Sequence, residues 1–184
     1  MKEILVLGRG GQGAVTSTQI LAIAAFKEGK YSLAFPNFGV ERMGAPVKSY
    51  CRIDEKPITL REQVQEADYA MVLDPTLTRH FHEKVKKLII VNSTKNPEDL
   101  CLEGKAEVKS VDMTAIAMKI IGSPFVNIAA LGAFAALSGE VTLKGIEEAL
   151  KQQMGNKKNV YEKNVLAVKE AYTVARKCLI GKKC

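Results

Sequence analysis

Gly8, Gly10 and Gly13, spaced Gly-x-Gly-x-x-Gly with Arg9, Gly11 and Gln12 between them, are the residues of this chain best suited to receive a ligand. Glycines permit a tight turn and a close backbone approach. Where such a loop follows a strand and opens a helix, unpaired N–H groups and the positive helix end face outward, and a phosphate or pyrophosphate is the natural guest. Arg9 adds a full positive charge. The bland alternative is that the glycines only let strand and helix pack closely. A second pair, Glu41 and Arg42, lies between Gly39 and Gly44 in a loop bounded by Pro36 and Pro46. Arg42 can hold a phosphate or carboxylate, with Glu41 orienting it or pairing with a neighbouring chain. An internal ion pair that fixes the loop explains the two equally well.

Other polar residues support less. His80 and His82, two apart, would point to different faces of a helix, so they read as a solvated surface and not as a shared metal site. Asp74-Pro75 follows an apolar run, where α/β folds place functional groups, although a turn or cap residue accounts for it too. Asn127 stands in an apolar stretch and needs a hydrogen-bond partner if buried, either a carbonyl or a ligand. No Ser–His–Asp set, acid–base carboxylate pair or Cys–His pair can be assembled, so no catalytic residue and no metal ligand are assigned. Cys51, Cys101, Cys178 and Cys184 are scattered without a Cys-x-x-Cys, and read as free thiols in a reducing compartment.

The elements that position these residues follow from periodicity. Ile4, Leu5, Val6 and Leu7 form a buried strand, and residues 11–27 carry apolar side chains at helical spacing. Gly29 stops the helix, and residues 31–35 form a second strand. This β–loop–α–β unit implies a parallel sheet. Residues 36–46 are a structured loop, 47–53 alternate as a strand, and 54–57 turn, which together imply a hairpin-like excursion. Further strands are expected at 69–73, 88–91 and 107–111. Helices are expected at 77–86, 114–120, 126–137, from 142 through Met154, and 159–177. The expected architecture is a three-layer α/β/α fold with a mostly parallel, Rossmann-like sheet, in one domain over residues 1–184. A dinucleotide site would need an acid at the end of the second strand to hold ribose hydroxyls. Phe35, Pro36 and Asn37 occupy that position, and Glu28 comes too early.

The chain has 184 residues, enough for one substantial core, and a net charge of +7. Its basic residues are spread along the chain without a nucleic-acid-binding motif, so an acidic protein partner or a solvated face explains them better than nucleic acid. No leader segment is visible, and the 13-residue apolar stretch 125–137 is too short to span a bilayer. A cytoplasmic location is expected, with no membrane contact.

Two segments go beyond a lone motif. Gly8-Arg9-Gly10-Gly11-Gln12-Gly13, followed by a helix with Leu21, Ala22, Ala24 and Ala25, resembles the opening of the gamma subunits of 2-oxoacid:ferredoxin oxidoreductases. Phe38-Gly39-Val40-Glu41-Arg42-Met43-Gly44-Ala45-Pro46-Val47 is similar to their second signature, most closely in the pyruvate and branched-chain members. Met43 departs from the Arg or Gly often found there. The resemblance continues at residues 68–74, fades after Asn92, and returns at Asn127, Ile128, Ala129, Leu131 and Gly132. It implies a gamma subunit of a multi-subunit enzyme that oxidatively decarboxylates pyruvate with coenzyme A to acetyl-CoA, CO2 and reduced ferredoxin. The isolated chain is then inactive and binds no cofactor tightly, with coenzyme A as the candidate guest. Thiamine diphosphate, Mg and iron–sulfur clusters are implied on partner chains, which are alpha, beta and delta-type subunits, with ferredoxin as electron acceptor. The alternatives are a non-catalytic interaction module of a 2-oxoisovalerate, 2-oxoglutarate or indolepyruvate oxidoreductase, and a free-standing dinucleotide-binding protein.

Overall fold

A computed structural model describes residues 1–37 and 44–179. Glu41 and Arg42 lie outside the described residues, as does Cys184. Strand β1 (Lys2–Arg9) carries the apolar run, and its alternation sends Ile4 and Val6 to one sheet face and Leu5 and Leu7 to the other. Both faces of this strand are therefore buried, as expected of a central strand. It leads through the glycine loop into α1 (Ala14–Lys27), which ends at Gly29 in a left-handed conformation.

After α1 come β2 (Tyr31–Asn37), β3 (Pro46–Asp54), β4 (Glu66–Val72), β5 (Lys84–Asn92) and β6 (Glu107–Val111). The six strands lie in the order β2-β3-β1-β4-β5-β6. Strands β1, β4, β5 and β6 pair in parallel, while β3 runs antiparallel to both β1 and β2. The mostly parallel α/β fold with a hairpin-like excursion is thus borne out. The excursion is β3 itself, whose hairpin partner is the preceding β2, and residues 55–65 contain no strand.

Four more helices follow: α2 (Met113–Ile120), α3 (Val126–Ser138), α4 (Leu143–Met154) and α5 (Lys158–Leu179). All five helices contribute to one apolar core, through residues such as Ile20, Leu21, Ile116, Leu131, Phe134, Ile146 and Val168. Helix α3 is buried from Val126 to Ala135, which explains its unbroken apolar sequence. The other sheet face presents Leu5, Leu7, Ala70, Val72, Ile89 and Val91. Two short 3-10 turns, Pro75–His80 and Pro97–Leu100, cover it with Leu77 and Leu100. The outer layer on that side is built from turns and coil.

One helix expected from the sequence is corrected. Residues 77–86 do not form a helix: the turn ends at His80, and β5 begins at Lys84. Pairing with β4 decides this, because Lys84 and Val85 lie opposite Glu66 and Ala67, and Lys86 forms an ion pair with Glu66 at 3.6 Å. A ladder partner outweighs a weak local helical preference. Cys51 and Cys101 are free, and burial pushes the Cys51 thiol up to about 12, which leaves it inert. Cys178 is disulfide-bonded, a correction to its reading as a free thiol.

Candidate functional site: the glycine loop and the cleft beside it

Parallel strands β1, β4, β5 and β6 bring their C-terminal ends to one edge of the sheet, where α/β folds receive ligands. The glycine loop leaves β1 at this edge. Gly8 is packed tightly, since a β-carbon there would meet Gln12 Oε1 and Leu73 Cδ1 at 3.2 Å each. The Gly10 amide donates to the Ala45 carbonyl at 2.8 Å, tying the loop to the start of β3. Gly11, at φ +93°, is exposed with nothing within 4 Å of where a β-carbon would stand.

Gln12 braces the turn from inside. Its Oε1 accepts from the Arg9 amide at 2.7 Å, and its Nε2 donates to Asp74 Oδ2 at 3.2 Å. Gly13 is the N-cap of α1, at φ +80°, and no side chain caps the helix. The first-turn amides of α1 therefore lack the capping acceptor that most helix starts have. The bend is open.

Arg9 is engaged within the protein and is not a free cation. Its Nε donates to Asp74 Oδ2 at 3.0 Å, Nη1 to the Gly44 carbonyl at 3.0 Å, and Nη2 to Thr76 Oγ1 at 2.7 Å. It links β1, the approach to β3 and the turn after β4. Asp74 has both tasks weighed from the sequence: Oδ1 caps the 3-10 turn by accepting from the Thr76 amide at 2.9 Å, and Oδ2 orients Arg9.

Burial pushes the Asp74 carboxyl up, but hydrogen bonds from Thr76 and Gln12 and the Arg9 charge outweigh it, leaving the group below its usual range. A carboxyl lowered on folding stabilises fully above its unfolded pKa and loses that contribution as pH falls through its folded one. The stability gap between the parent chain and Asp74→Asn should therefore be present at pH ~7 and shrink as pH drops through about 4 and below. Thermal unfolding across that range checks it, and a gap that does not change with pH would rule the clamp out.

Beyond Arg9, a cleft of about 910 Å³ runs along the ends of β4, β5 and β6, lined among others by Arg79, Ser93, Lys95, Asp99, Asp112 and Thr114. Arg79 and Lys95 have no anionic partner among the described residues. Asn92 forms the floor: its Nδ2 donates to the Leu73 carbonyl at 3.0 Å, and its Oδ1 accepts from the Thr114 amide at 3.1 Å. Sequence reasoning did not single out Arg79, Lys95 or Asn92. Asn92 ends the apolar strand β5 and Lys95 follows three residues later, which was the available signal, whereas Arg79 lies in the turn seven residues beyond β4 and had none. His80 and His82 are exposed, and no group of three or more metal-binding side chains occurs among the described residues.

The sheet order also bears on the dinucleotide alternative. Strand β3 lies between β1 and β2, so the end of β2 is two strands, roughly 10 Å, from the glycine loop. A ribose-binding acid at the end of β2 would be out of place even if one were present.

Residues 3–174 match the family described as pyruvate ferredoxin/flavodoxin oxidoreductase. The chain belongs to that family. Within it, the pyruvate synthase subunit PorC of Methanosarcina barkeri is 52% identical over 155 residues, covering 82% of this chain and 85% of the relative. The common gamma subunit of the pyruvate/ketoisovalerate oxidoreductases of Pyrococcus furiosus is 46% identical over 179 residues, covering 94% and 96%. The crystal structure of the pyruvate oxidoreductase subunit PORC from Thermotoga maritima superposes with a TM-score of 0.83 at 33% identity, covering 94% of this chain and 95% of that one. The oxidoreductase family thus accounts for nearly the whole chain, including both ends of the sheet and the helices α1 to α4. Among the described residues, no helix is long and apolar enough to cross a membrane.

Proposed function

We infer that this chain is the gamma subunit of a multi-subunit pyruvate (2-oxoacid):ferredoxin oxidoreductase, and that its glycine loop receives a phosphate group of coenzyme A. The subunit assignment rests on family membership over residues 3–174 and on relatives of nearly equal length that are pyruvate synthase or common gamma subunits. The enzyme converts pyruvate and coenzyme A to acetyl-CoA and CO2, and passes two electrons to ferredoxin. Alpha, beta and delta-type chains carry the thiamine diphosphate, Mg and iron–sulfur clusters, and the complex works in the cytoplasm. This chain contributes a binding edge to that assembly and no reacting group.

The coenzyme A reading is carried by one observation: an uncapped helix start, open at Gly11, beside a cleft whose Arg79 and Lys95 have no ion-pair partner among the described residues, although Asp99 and Asp112 also line it. Backbone amides and a helix dipole suit a phosphate oxygen. The cleft has the size of sites that take nucleotide-like ligands. Gly8, Gly10, Gly11, Gln12 and Gly13 shape the receiving loop, Arg9 holds it in place, and Glu41 and Arg42 are further candidates for anion contact on the strength of the sequence.

Hydrogen exchange of the native complex tests this directly. Saturating coenzyme A should slow exchange several-fold at residues 11–16, whose amides lack helical acceptors, while the C-terminal half of α1 is unaffected. Unchanged exchange at those residues, in a preparation that turns over coenzyme A, would reject the assignment.

A further inference from the structure

Asn127 is the second residue of α3 and is 8% exposed. Buried carboxamides are almost always hydrogen-bonded, because an unpaired amide away from water forfeits its hydration. Among the described residues, the Asn127 side chain has no hydrogen-bond partner, although its backbone carbonyl accepts from Ser17 Oγ at 3.3 Å. It lies against the N-cap of α1. A β-carbon on Gly13 would stand 2.6 Å from Asn127 Nδ2 and 2.8 Å from its Cγ. Glycine at position 13 is thus needed for the left-handed turn and also to make room for this carboxamide.

Two deficits meet here. Helix α1 starts without a side-chain cap, and the carboxamide beside it makes no hydrogen bond among the described residues, its polar atoms keeping contact with solvent at the same bend, so neither satisfies the other. A guest with several acceptor oxygens and no donors would satisfy both. Phosphate is such a guest: it can accept from the first-turn amides and from an Asn NH2 together. We propose that the Asn127 carboxamide donates a hydrogen bond to a phosphate group seated on the N-terminus of α1, so that α3 supplies a side-chain ligand to the glycine-loop site. This deepens the proposed function and rests on the reading of that loop as an anion site. Asn127 is a positioning and specificity residue here, since it touches a phosphate and not the reacting atoms.

The phosphate can come from coenzyme A or from the thiamine diphosphate of a neighbouring chain, and the test separates the two. The complex is assembled with Asn127→Asp, which keeps the side-chain shape but offers only acceptors and a negative charge, and in parallel with Asn127→Ala. KM for coenzyme A, KM for pyruvate and the activation constant for thiamine diphosphate are measured with kcat. For Asn127→Asp, KM for coenzyme A should rise about tenfold or more, as expected for replacing a donor to a charged group by a repelling one. Its kcat and KM for pyruvate should stay within about twofold, and Asn127→Ala should show a smaller rise.

A shift confined to the thiamine diphosphate constant would uphold Asn127 as a phosphate ligand while removing coenzyme A as the guest. If neither constant moves, the role of Asn127 is overturned, and hydrogen exchange at residues 11–16 then decides separately whether the loop still takes an anion. Loss of assembly in both variants also overturns it, because that outcome marks a residue that only holds α3 to α1.

Discussion

Gly132→Ala should destabilise the chain by about 2–3 kcal/mol, even though alanine favours helix over glycine by about 1 kcal/mol. Gly132 lies mid-way along α3, and its neighbour is the backbone of α5. A β-carbon there would stand 2.9 Å from the Val168 carbonyl carbon and 3.0 Å from its Cα. Backbone cannot rotate away as a side chain can, so the two helices must separate. Ala129, Ala133, Ala167 and Ala171 are completely buried in the same core and depend on that close approach. For a domain of this size the expected loss lowers the thermal midpoint by roughly 4–12 °C. Thermal unfolding of the purified variant checks it. A midpoint at or above that of the parent would mean that α3 and α5 do not pack backbone to backbone.

Arg52→Met should have a larger effect, about 3–5 kcal/mol, because it removes one partner of a buried ionic network. Arg52 is 1% exposed, on β3. Its Nε donates to Glu3 Oε1 at 2.8 Å, Nη1 to the Leu60 carbonyl at 2.9 Å and Nη2 to the Glu62 carbonyl at 2.6 Å. The guanidinium also lies 5.0 Å from the Phe35 ring centroid. Methionine fills most of the volume but leaves a half-buried carboxylate and two carbonyls without their donor. The segment 55–65, which contains no helix or strand, is held to the sheet by those two carbonyls. Its proteolytic cleavage should therefore accelerate in Arg52→Met, together with the drop in denaturation midpoint. Adding Glu3→Gln should recover part of the loss by removing the stranded charge. An Arg52→Met chain as stable as the parent, with segment 55–65 equally resistant, would contradict this account.

These two sites differ in how far they could be read from the sequence. The alanine and glycine content of α3 announces a buried helix with a close neighbour, but nothing local says that the neighbour is Val168. Arg52 sits in an alternating strand and looks like one more basic residue. Its burial follows from Phe35 and segment 55–65, whose Leu60 and Glu62 carbonyls meet the guanidinium, and no local pattern announces that. The candidate site shows the same division. The glycine loop, its strand and its helix are contiguous, and their periodicity and turn chemistry placed them correctly. Arg9 read as a free cation aimed at an anion, whereas Asp74, Thr76 and Gly44 take up its donors from 35 to 67 positions away.

What the sequence by itself determined was everything governed by neighbours along the chain: the apolar strand, the glycine turn, the helical repeats, and the two signatures resembling the oxidoreductase gamma subunits. Tertiary structure alone decided the insertion of β3 between β1 and β2, the conversion of residues 84–86 from helix to strand, and the meeting of Asn127 with Gly13. Strand pairing and side-chain satisfaction are settled by partners far apart in the chain, and their energies exceed the small local preferences that a linear pattern records.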